Sequence, residues 1–139
     1  MAGAAVLSQE LTIPEISQTV IFTRIEGRTP VPQNESLREL AKHNSTMVIF
    51  LSVGMIEKVY EELIKGYPEE TPVVVIEKVS WHGQKIVRGK LKELTGLVKS
   101  ANIRKTALIY VGEALRASEG SINKKSRLYD KNFKHEYRN

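Results

Sequence analysis

Arg24 directly follows an apolar run, Thr19–Thr23 (TVIFT), that reads as a β-strand. A guanidinium at a strand end can clamp a carboxylate through two parallel hydrogen bonds. The same placement suits an ordinary solvated arginine, and position alone leaves the two readings level. Other residue types offer less. The 139-residue chain has no cysteine, which removes disulfides, thiolate metal sites and cysteine nucleophiles. His43, His82 and His135 are scattered without metal-ligand spacing, so no metal site is expected. Asp130 is the only aspartate, which excludes a paired-aspartate centre. Neither a GxGxxG fingerprint nor a P-loop pattern occurs. Ser52, in FLSVG, lacks the surroundings of a nucleophile elbow and reads as a helix cap. Trp81, the single tryptophan, lies in a Trp-His-Gly turn and reads as a partly buried anchor.

The elements that must position these residues follow from apolar periodicity. After the first strand, residues 25–33 contain Gly27, Pro30 and Pro32 and read as a loop. Asn34 is placed to cap a short helix over Glu35–His43. Met47–Leu51 (MVIFL) is continuously apolar, as in a strand covered on both faces. Met55, Ile56, Val59, Tyr60, Leu63 and Ile64 recur at three- and four-residue steps, which predicts an amphipathic helix stopped by Gly66 and Pro68. Val73–Ile76 is a second buried strand and Lys85–Arg88 a short edge strand. Leu91, Leu94, Leu97, Val98 and Ala101 predict a further helix, and Ala107–Val111 (ALIYV) the last strand. The order β-α-β-α-β-β-α-β predicts an α/β fold. Its mixed, mostly parallel sheet has about five strands, with helices on its faces. Ligands of open α/β sheets bind beyond the carboxyl ends of strands. That rule singles out Thr23-Arg24, Leu51-Ser52, Val79-Ser80 and Val111-Gly112.

Hydrophobic residues make up 41% and charged residues 27%, as in a globular domain able to bury its own core. No apolar stretch is long enough to span a membrane, and the N-terminus lacks the basic region of a signal peptide, so no membrane is expected. The net charge is +5. Most of it sits in 123–139, where six Lys and Arg face only Asp130 and Glu136. Such a tail is either a solvated end or an anion contact. The near-neutral body and the absence of aromatics interleaved with a basic patch argue against nucleic acid.

Several stretches carry a resemblance. ELTIPEISQTVIFTRIEGR (Glu10–Arg28), RTPVPQNESLRELAKH (Arg28–His43), MVIFLS (Met47–Ser52), TPVVVIEKVSW (Thr71–Trp81), QKIVRGKLKEL (Gln84–Leu94), IRKTALIYVGEAL (Ile103–Leu115) and LYDKNFKHEYR (Leu128–Arg138) cover nearly the whole chain. Together they resemble the second domain of the precorrin-4 C11-methyltransferases, a subfamily of the tetrapyrrole (corrin/porphyrin) methylases. The resemblance implies residues 1–17 as an inter-domain segment, 18–116 as the C-terminal methylase domain and 117–139 as a basic C-terminal tail. It implies transfer of a methyl group from S-adenosylmethionine, leaving S-adenosylhomocysteine, to precorrin-4 or cobalt-precorrin-4 in cobalamin biosynthesis. A methylase of another ring position, or a non-catalytic dimerisation or binding module, is the alternative. The family's GxGxGD loop belongs to its first domain and is absent here, so the chain is expected to be incomplete without that N-terminal domain. The resemblance further implies a homodimer in the cytoplasm. By position, Leu51, Val79 and Ala107 match cofactor contacts, while Thr23 and Arg24 match a Thr-Arg pair facing the substrate. No catalytic side chain is implied, because methyl transfer from an activated sulfonium needs mainly alignment.

Overall fold

The computed structural model of the chain describes residues 10–50, 52–78 and 82–119. Five strands form one sheet: β1 (Val20–Thr23), β2 (Thr46–Ile49), β3 (Pro72–Glu77), β4 (Lys85–Lys90) and β5 (Ala107–Val111). The helices are α1 (Leu37–Ala41), α2 (Ile56–Leu63), α3 (Leu94–Ser100) and α4 (Ala114–Glu119). The tail 120–139 lies outside the described residues.

The strand order is β1-β2-β5-β3-β4. The expected mixed α/β sheet of five strands is present, but its expected mostly parallel character is not. Only β1 and β2 pair in parallel, whereas β2–β5, β5–β3 and β3–β4 are antiparallel. The crossovers through α1 and α2 do keep β1, β2 and β3 pointing the same way, as such connections require. The difference arises because β5 inserts between β2 and β3. One potential parallel contact is thereby replaced by two antiparallel ones, and the 78–84 connection returns β4 as a hairpin.

The two sheet faces bury different sets, as the period of two along each strand demands. Met47, Ile49, Val73, Val75, Ile109 and Val111 pack with Leu37, Ile56, Val59, Leu63, Leu94 and Val98 of α1, α2 and α3. Val48, Val74, Ile76 and Tyr110 pack instead with Leu11 and with Leu115 of α4. Helices α1, α2 and α3 therefore cover one face. The lead-in segment and α4 cover part of the other, where Phe22 remains 51% exposed.

Capping differs from expectation at α1. Residues Gln33–Glu35 form a single 3-10 turn, and Ser36 rather than Asn34 is the N-cap, its hydroxyl accepting from the Glu39 N–H. The Ser-x-x-Glu spacing at 36–39 is a capping signature the sequence carried. At the far end of α3, Asn102 takes a left-handed conformation (φ 56°) and the Ile103 N–H reaches the Val98 carbonyl. This is a Schellman closure, which aims the chain into β5.

Candidate functional site

The register places the singled-out positions relative to one another. Thr23 ends β1 beside Ile49, the last residue of β2. Ala107 begins β5 beside Glu77, the last residue of β3, and Glu77 faces Lys85 at the start of β4. The carboxyl ends of β1, β2 and β3 and the amino ends of β4 and β5 thus share one edge of the sheet. Thr23, Arg24 and Ala107 all sit at that edge. Leu51 and Val79 lie outside the described residues, but the strands that lead to them, β2 and β3, end there too. Val111-Gly112 does not belong to the group. β5 runs against β2, so its carboxyl end emerges at the opposite edge.

Local contacts hold this edge in shape. The Phe50 N–H donates to the Thr23 carbonyl at 2.9 Å. The Ser52 hydroxyl, on a residue 1% exposed, accepts from the Ile25 N–H at 2.9 Å and donates to the Phe50 carbonyl at 2.8 Å. Ser52 precedes a 3-10 turn, Val53–Met55, yet makes no side-chain cap bond to it. Its expected role as a helix cap is corrected. The hydroxyl ties the exit of β1 to the exit of β2, because the buried Ile25 amide has no ladder partner beyond the strand. Sequence reasoning missed this, since a serine before a helix is locally indistinguishable from a cap.

Arg24 is neither a free clamp nor a solvated arginine. Its Nη1 donates to the carbonyls of Ile25 (3.3 Å) and Thr29 (3.2 Å), folding the guanidinium against the loop that follows β1. Glu26 supports the same loop by accepting from the Val31 N–H at 3.0 Å. Between this loop, α1 and α2 lies a cavity of about 230 Å³ whose lining includes Ile25, Gln33, Lys58 and Glu62.

At the β3–β5 side, Glu77 is buried and its carboxylate lies 3.8 Å from the Lys85 ammonium. Immediately beyond the ladder, the Lys78 N–H donates to the Thr106 carbonyl at 2.8 Å, and both residues adopt φ 56°. A β-branched residue with positive φ is a genuine outlier, held only where its surroundings over-determine it. No group of His, Asp and Glu able to hold a metal ion occurs among the described residues.

Comparison with known proteins places the chain in a family. The family described as Tetrapyrrole (Corrin/Porphyrin) Methylases matches residues 1–95. This chain belongs to the tetrapyrrole methylase family. Among similar relatives, the cobalt-precorrin-4 C(11)-methyltransferase of Methanocaldococcus jannaschii is 59% identical over 138 residues, spanning 99% of this chain and 52% of that protein. The precorrin-4 C(11)-methyltransferase of Pseudomonas aeruginosa is 47% identical over 137 residues, spanning 99% of this chain and 54% of that protein. The X-ray structure of a cobalamin biosynthetic enzyme, cobalt precorrin-4 methyltransferase, superposes with a TM-score of 0.79 at 50% identity. It covers 82% of this chain and 48% of that one. A uroporphyrin-III C-methyltransferase from Thermus thermophilus, solved with S-adenosylhomocysteine, shares the fold at a TM-score of 0.66 and 21% identity, over 83% of this chain and 51% of that one. This methylase chain therefore spans about half the length of the relatives it matches. The candidate edge described above consists of strand ends and backbone turns, with few reactive side chains.

Proposed function

We propose that this chain is the C-terminal half of an S-adenosylmethionine-dependent C11-methyltransferase acting on precorrin-4 or its cobalt form in cobalamin biosynthesis. The observation that carries the reading is the 59% identity to a cobalt-precorrin-4 C(11)-methyltransferase along 138 residues. Residues 18–116 constitute the C-terminal domain, 1–17 the inter-domain segment and 117–139 the tail. A methylase N-terminal domain completes the site, and the assembled enzyme works as a cytoplasmic homodimer. Among the described residues no helix is long and apolar enough to cross a membrane.

The sheet edge fits a nucleoside-bearing cofactor by its construction. Ala107 presents only a methyl group at the start of β5, and the Lys78–Thr106 turn pair puts main-chain groups just past the ladder. Leu51, Val79 and Ala107 are assigned to the cofactor, with recognition resting on backbone groups at these positions. When bound, the cofactor supplies a methyl group already activated on a sulfonium. The chain's own contribution is then alignment and charge complementarity. Thr23 and Arg24 are assigned to the substrate's acidic arms. Arg24 keeps guanidinium donors beyond the Nη1 atom that holds its own loop, enough for a carboxylate.

Calorimetric titration tests this reading. S-adenosylhomocysteine is titrated into the chain alone, then into the chain mixed with the first half of the Methanocaldococcus jannaschii relative. Binding that is weak alone and tight in the mixture is expected. Tight stoichiometric binding by the chain alone would contradict the half-site reading, and no binding in either arm would favour an interaction module.

A further inference from the structure

The sequence concentrates its positive charge in the tail, but the fold makes a second concentration that the linear order conceals. Lys78 follows β3 and Lys105 precedes β5, twenty-seven positions apart along the chain. Strands β3 and β5 pair so that Glu77 faces Ala107, and the Lys78 N–H is bonded to the carbonyl of Thr106, the neighbour of Lys105. The two lysines therefore flank one spot on the functional edge. Both are exposed, and neither ammonium forms an ion pair with a described residue.

The charges around them do not cancel them. Glu77, the carboxylate next to Lys78, is buried and directed to Lys85. Arg104, next to Lys105, donates through Nε to the Asn102 side chain at 2.9 Å and adds to the positive field. Glu26, across the edge, is committed to the Val31 amide. The left-handed backbone at Lys78 and Thr106 is costly for such residues, and it fixes how the two lysine-bearing segments leave the sheet. On the other side of the edge stands Arg24. Strands β1 and β3 are three strand spacings apart, so about 14 Å separates the two cationic flanks.

We infer that Lys78 and Lys105 form a carboxylate-binding rim that holds acidic arms of a tetrapyrrole opposite Arg24, with Ala107 at the start of β5 between the two flanks. The inference rests on the methylase reading above and adds residues to it. A ring bearing several acetate and propionate arms meets positive charge on both sides. Lysine, a point charge on a flexible stem, suits arms whose exact placement varies.

The test uses the full chain and uroporphyrin III as probe, with binding followed by porphyrin fluorescence at low and high ionic strength. Lys78→Gln and Lys105→Gln are each expected to weaken binding about two- to fivefold, the range for one exposed charge contact. The double variant is expected to lose more and to show a shallower salt dependence. Lys65→Gln, at the opposite end of the molecule, should bind as the parent does. A double variant that binds like the parent, or a Lys65→Gln loss of equal size, would overturn the assignment. So would a single-stranded oligonucleotide that binds with the same lysine dependence, which would change the ligand class. If the S-adenosylhomocysteine titration succeeds while the lysine variants are neutral, the methylase reading stands and the rim alone falls. A parent chain that binds no porphyrin at all overturns the rim outright.

Discussion

Removing the Ser52 hydroxyl isolates a single atom's contribution to the candidate edge. Ser52→Ala leaves the buried Ile25 N–H without an acceptor and takes a donor from the Phe50 carbonyl. An orphaned buried donor costs about 1–3 kcal/mol. The urea midpoint is expected to fall accordingly with an unchanged m-value, because the folded and unfolded surfaces stay the same. A midpoint within error of the parent would show that the strand exits are held by the ladder alone. Residue chemistry was partly legible beforehand. The sequence marks Arg24 as the cation at a strand end, but its engagement with the Ile25 and Thr29 carbonyls depends on a loop path that no residue pattern encodes.

Helix α2 shows most clearly how much of an element is written locally. Its buried residues Ile56, Val59 and Leu63 repeat at helical steps, and Gly66 follows within one turn of its end. The structure gives Gly66 a second duty. A Cβ there would lie 2.3 Å from the Ala41 carbonyl carbon, which is backbone and cannot step aside. Gly66→Ala should therefore destabilise the chain by about 3 kcal/mol, the upper end for overpacking. Thermal unfolding checks this, and a loss no larger than a few tenths of a kcal/mol would mean that the α1–α2 contact can open freely. Periodicity announced the helix stop, whereas the close approach to α1 is visible only once α1 and α2 pack.

At the scale of the whole molecule, the edge opposite the candidate site carries its own electrostatic tie. Glu70, in the loop before β3, lies 2.7 Å from the Lys90 ammonium and 2.6 Å from that of Lys92. Hydrogen bonds from Lys90 and then Lys92 pull its carboxyl down to about 2 from the ordinary 4.5. A carboxylate with a lowered folded value contributes stability that is fully present above the ordinary value and is lost as pH falls toward the folded one. The melting temperature should therefore drop between about pH 4.5 and pH 2, and by less in Glu70→Gln. Because the group is exposed, the difference between the two proteins should shrink in high salt. Identical acid profiles would show that the tie adds nothing beyond its local geometry.

The sequence by itself determined the strands, the three main helices and the common direction of β1, β2 and β3. These follow from apolar periods and from helical crossovers, which act between residues close along the chain. It also carried the family resemblance that the comparisons bear out. Only the tertiary structure decided that β5 lies between β2 and β3. A run such as ALIYV, buried on both faces, satisfies its hydrogen bonds against a parallel or an antiparallel neighbour, so its pattern does not choose. That one insertion put Ala107 on the same edge as Thr23 and Arg24, and Val111-Gly112 on the far one. It also brought Lys78 beside Lys105. Which charges gather at a site depends on which strands pair, and pairing is settled by packing between residues distant along the chain.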